Sequence, residues 1–132
     1  MGLENSAQSY LFIKEAAMEF PSTNDFLEEF GIEPVEVDPS LSLCRYKTKS
    51  HSSELEVDFS FSAVMGSFQV VLRLAEQELA IVSSESVRII ELVRDDAGAG
   101  VHVVFDICNS TSEAWVMLEP DVSFRWWTLR NA

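Results

Sequence analysis

The stretch Leu55-Glu56-Val57-Asp58-Phe59-Ser60-Phe61-Ser62 decides the fold class. Apolar and polar residues alternate through it without a break. Period two is the mark of a strand with one face in a core and the other toward solvent. Phe68, Val70, Leu72 and Leu74 repeat the pattern. Toward the C-terminus, strand-like runs follow at residues 78–82, 87–93, 101–107, 114–118 and 122–129, separated by short polar turns. Parallel crossovers need about a dozen residues, so connections this short imply antiparallel pairing. The stretch Asp95-Asp96-Ala97-Gly98-Ala99-Gly100 reads as a hairpin loop with two glycines available for positive φ, and Pro120-Asp121 as another turn. Val71 and Val104 interrupt the polar phase of their strands, which implies some cover on the second face.

Working back toward the N-terminus, the pattern changes period. Ser6 is placed to cap a helix over residues 7–20, which Pro21 ends because the residue before proline avoids the α region. Ser22-Thr23-Asn24-Asp25 supplies good N-cap types for a second helix over residues 25–30. Phe26, Leu27 and Phe30 form its apolar face, Asp25, Glu28 and Glu29 the other, and Gly31 suits the left-handed position that closes it. Residues 32–39 carry two prolines and read as an extended connector with room for a short edge strand. The expected architecture is α+β: N-terminal helices packed on a curved antiparallel β-meander of seven or eight strands, with a nearly closed barrel as the alternative. Residues 1–132 form a single domain in this reading, helical over 1–40 and antiparallel sheet over 41–132.

With 132 residues and 47% hydrophobic content, the chain is long enough to bury a core without disulfide or metal. Cys44 and Cys108 lie in apolar runs, and the first residues lack a basic, apolar leader, so two free thiols in the cytoplasm are expected. No apolar stretch reaches the roughly 18–20 residues of a membrane span.

The net charge is −13, from 22 acidic and 9 basic residues. Direct binding to nucleic acid needs basic patches, so this balance argues against it and fits a basic partner. The charge is concentrated. Before residue 44 nine acids, Glu4, Glu15, Glu19, Asp25, Glu28, Glu29, Glu33, Glu36 and Asp38, face the single Lys14.

The sequence carries no catalytic constellation, so no catalytic residue, cofactor or metal is expected. There is no phosphate-binding glycine loop, no Cys-x-x-Cys and no histidine pair at metal spacing. His51 falls in the polar stretch 47–53, and His102 alternates with core valines, pointing away from Val101 and Val103. On one strand, His102 and Cys108 stand roughly 20 Å apart and make no catalytic pair.

Three features point to binding. The acidic stretch from Asp25 through Glu28, Glu29, Glu33 and Glu36 to Asp38 has no interspersed base and suits a basic cleft, though a solvated helix face accounts for it too. Glu54, Glu56 and Asp58 align on one strand face, a second acidic surface unless Arg73, Arg88 or Arg125 on neighbouring strands neutralises it. Trp126 and Trp127 are adjacent and must point to opposite faces, so a sheet covered on one side leaves one ring, here Trp127, for a partner.

An acidic chain without a catalytic constellation, with the helical stretch Asn24-Asp25-Phe26-Leu27-Glu28-Glu29-Phe30-Gly31 ahead of a β-meander, resembles the immunity proteins of bacterial polymorphic toxins, including those of contact-dependent growth inhibition systems. The stretches Phe59-Ser60-Phe61-Ser62-Ala63-Val64-Met65-Gly66-Ser67-Phe68 and Arg125-Trp126-Trp127-Thr128-Leu129-Arg130 carry the likeness. The resemblance implies a non-catalytic protein kept in the producing cell. Its partner would be a cognate toxin domain, often a nuclease with a basic cleft, inhibited by direct contact. No partner-binding position is carried over by it. A barrel-like module for a small apolar ligand and a metal-assisted enzyme using acidic residues are the rival readings.

Overall fold

Nine antiparallel strands in two sheets build the protein, as seen in a computed structural model that describes residues 19–130. One short helix, α1 (Thr23–Phe30), precedes β1 (Glu36–Asp38), a 3-10 turn (Pro39–Leu41), β2 (Leu43–Lys49), β3 (Leu55–Ser62), β4 (Ser67–Leu74) and β5 (Gln77–Ser84). These five strands form the first sheet in sequence order. The second sheet follows, also in order: β6 (Val87–Asp95), β7 (Gly98–Ile107), β8 (Ser110–Glu119) and β9 (Ser123–Arg130).

The expected single curved meander is therefore corrected to two meanders, nine strands and a mainly β fold. The division falls after β5. Ser86 takes a left-handed φ of 64°, and the chain then bonds elsewhere: Val87 N–H to the Gly66 carbonyl and Asp106 N–H to the Ser86 carbonyl. Among the described residues β6 pairs with no strand but β7, and neither sheet closes into a barrel. The first expected helix lies outside the described residues up to residue 18. Glu19 itself is not helical and forms a parallel bridge with Ile89.

Register explains how one core serves both sheets. In the first, Tyr46, Phe59, Val70 and Val82 stand across from one another on the inner face, as do Cys44, Phe61 and Phe68. In the second, Ile90, Val103, Ala114 and Trp126 form the corresponding row. These inner rows meet in one cluster, with Phe68 and Phe105 edge to face at 6.2 Å. Trp126 lies on the inner side too, 4.7 Å from Phe105. Where β7 and β8 pair irregularly, Gly100 is required: a Cβ there would sit 2.2 Å from the Val116 carbonyl oxygen.

The helix completes the core. Ser22 accepts from the Asp25 N–H while the Asp25 carboxylate accepts from the Ser22 N–H, a reciprocal cap. Gly31, at φ 68°, ends the helix and returns its N–H to the Leu27 carbonyl. Between these stops only Phe26 is fully buried, stacked on Tyr46 at 4.2 Å and within 6.0 Å of Phe59 and Phe61. Truncation Phe26→Ala is expected to cost about 3–5 kcal/mol. Urea unfolding followed by circular dichroism measures it, and a loss near zero would show that the helix is not part of the cooperative core.

Candidate functional site

Asp58 shows what the outer face of the first sheet is for. Its neighbours across the strands are Lys47 and Val71, and Arg45 and Arg73 stand one rung away, on the same face. Arg45 grips the carboxylate with two bonds, Nε to Oδ1 at 2.9 Å and Nη2 to Oδ2 at 2.8 Å, while Arg73 Nη1 reaches Oδ2 at 2.8 Å. Asp58 is only 5% exposed, and hydrogen bonding from Arg45, opposed by burial and reinforced by Arg73, holds its carboxyl below the ordinary range. Glu56 pairs with Arg73, Glu36 with Arg45, and Glu54 with Lys49. Of the three candidate cations named from sequence, Arg73 answers the row, and Arg45, not anticipated, answers it more fully. Arg88 instead approaches Asp106, and Arg125 lies over the Trp127 ring.

The acidic stretch behaves differently. Asp25 is spent on the helix cap and Asp38 on capping the 3-10 turn, where bonds from Ser40 lower its pKa. Glu29 binds Arg94, whose guanidinium also holds the Glu29 carbonyl and Glu119, tying α1 to β6 and β8. Glu28 and Glu33 are exposed, and Glu36 keeps its side chain 57% exposed despite Arg45. Among these acids lie three exposed apolar side chains, Leu27 (46%), Val35 (55%) and Val37 (52%). Thr23, Asn24, Leu27, Glu33, Pro34 and Val37 line one groove of about 330 Å³ there. An apolar groove beside exposed carboxylates is a surface that a cationic protein can cover.

The outer face of the second sheet carries the aromatic cluster. Trp127 is on this side, half-buried, 6.4 Å from Trp115 with nearly parallel rings, and its Nε1 donates to Glu113 at 2.9 Å. Arg125 sits 5.8 Å over the Trp127 ring. Beneath Trp115 lies His102, stacked at 4.1 Å and nearly buried, with Glu91 at 2.7 Å from Nδ1 and Glu113 at 2.9 Å from Nε2. A neutral imidazole donates from one nitrogen only. The tautomer of the ring decides which nitrogen donates. This packing was invisible in the sequence except as the alternation that set His102 apart from the valines. The expected exposed ring of Trp127 is a partly covered one.

No cluster of His, Cys, Asp and Glu with metal-holding geometry occurs among the described residues. No described helix is long and apolar enough to cross a membrane. Cys44 and Cys108 are both free.

The fold defines a class: a two-sheet antiparallel β protein with one short helix built into its core. A chain of the contact-dependent growth inhibition toxin–immunity protein complex from Klebsiella pneumoniae 342 shares it, with a TM-score of 0.76 and 25% identity over 86% of this chain and 97% of that one. The resemblance to immunity proteins of contact-dependent growth inhibition systems is thereby borne out. No family model and no curated protein matches the chain.

The arginine clamp makes a stability prediction. The double variant Arg45→Ala/Arg73→Ala strands a buried carboxylate and is expected to cost about 3–5 kcal/mol. Adding Asp58→Asn should recover part of it. Because the folded-state pKa of Asp58 is lowered, its contribution is present above the unfolded value and lost as the pH falls below about 4. Unfolding curves between pH 7 and 3 should lose that slope in Asp58→Asn.

Proposed function

We propose that the chain is an immunity protein that binds and neutralises a cognate toxin domain by direct contact, without catalysis. The likeness to a chain of a toxin–immunity complex carries this reading. We further propose that the toxin is basic, of nuclease type, and that it docks on α1 and β1. Glu28, Glu33 and Glu36 are exposed there, and Glu33 shares a groove with exposed Leu27 and Val37. Long-range attraction between this acidic surface and a cationic cleft would speed association, and burial of the apolar groove would slow release. Asp25, Glu29, Asp38, Glu54, Glu56 and Asp58 would serve the docking surface indirectly, by fixing the helix and the sheet. Trp127 would join the interface only if the toxin reaches around to the second sheet. The expected site of action is the cytoplasm of the producing cell.

The test is survival and co-purification when the toxin domain encoded beside this protein is expressed with and without it. Rescue with a one-to-one complex supports the reading, and death in its presence overturns it. The variant Glu28→Lys/Glu33→Lys should fold normally and lower the association rate about tenfold or more at low salt. An unchanged rate would move the interface away from α1, and Trp127→Ala then tests the second sheet.

A further inference from the structure

Two sheets that fail to close leave four edge strands, and three of them are protected. β1 is three residues long and bounded by Pro34 and Pro39. β6 carries Arg88, Glu91 and Arg94, and part of its edge is taken by Glu19, which donates to the Arg88 carbonyl and accepts from Ile90 N–H. β9 carries Arg125, at an exposed position. Short length, proline, charge and covering backbone are the devices that keep edges from pairing.

β5 has little of this. It is eight residues long and the outermost strand of its sheet. The run from 74 to 81 is exposed throughout, with Leu79 at 53% and Ile81 at 54%. The irregularity in its pairing with β4 falls at Leu79, and the regular part beyond it, Ala80-Ile81-Val82-Ser83-Ser84, contains no charge and no proline. An uncharged strand edge is a poor steering surface for a cationic partner, yet its backbone groups are open to any strand of matching register.

We propose that β5 pairs antiparallel with β5 of a second copy, joining two five-stranded sheets into one of ten about a two-fold axis. The sequence is self-complementary for this. With the axis at Ile81, the two Ile81 side chains meet and Ala80 faces Val82 of the second copy, within the regular part of the strand. The regular part carries no charge, so no like charges stand opposite one another about the axis. What opposes the dimer is the −13 carried by each chain, including exposed Glu76, Glu78 and Glu85 at the ends of the strand, and salt screens it. Dimerisation therefore strengthens with ionic strength, opposite to the response expected of an acidic–basic complex, and it stands independently of the toxin-binding reading.

Sedimentation equilibrium of the full chain, at rising protein concentration in low and in roughly 0.5 M salt, reads the result. The expected outcome is a mass moving from 14.8 kDa toward twice that value, at lower concentration in high salt. Ile81→Lys, at an exposed position, should keep its circular dichroism spectrum and stay at the monomer mass. A wild-type mass that stays monomeric throughout, or an Ile81→Lys variant that dimerises equally well, overturns the proposal. So would slowed exchange of the β5 amides only on adding the toxin domain, since the edge would then be receiving a partner's strand.

Discussion

The central strand β3 must satisfy two faces at once, and the structure hangs on how it does so. Inward it places Val57, Phe59 and Phe61 against the helix and the second sheet. Outward it places Asp58 under two guanidinium groups. Neither half is optional. The aromatic side supplies apolar area, and the acid is tolerable there only because Arg45 from β2 and Arg73 from β4 converge on it. That convergence also sets register, because a one-residue slip of either neighbour would turn its arginine to the core side. Hydrophobic burial thus makes the sheet, and a single buried carboxylate specifies how its three middle strands align.

This division of labour clarifies where the protein's acidity goes. The net charge suggests one uniformly negative object. At the level of side chains it separates into acids that hold the fold, such as Asp25, Asp38 and Asp58, and exposed acids that do not, such as Glu33 and Glu28, which accepts from Asn24 within its own helix. The first group is bound by caps, turns and arginines. Of the second group, Glu33 shares a groove with exposed Leu27 and Val37.

Much of the fold was legible because its signals are local. The alternation of 55–62 and 67–74, the capping residues around Phe26, the left-handed Gly31 and the short edge strand before Pro39 all depend on neighbours within a few positions. The division into two sheets was not legible. It rests on where Val87 and Ser86 find backbone partners, with Gly66 and Asp106 about twenty residues away, and no periodicity records that. The site was read only in outline for the same reason. The paired state of Glu54, Glu56 and Asp58 depends on arginines from other strands. Which tryptophan lies inside depends on which face the second sheet presents.

The separation between acids that hold the fold and exposed acids that do not has a consequence for variation. Positions 28 and 33 and the apolar side chains beside them can change identity with little effect on folding, because no packed group or buried bond relies on them. A lineage of such proteins is free to exchange one recognition pattern for another while the two-sheet frame persists. The frame itself is kept at 25% identity and a TM-score of 0.76 in the Klebsiella pneumoniae chain.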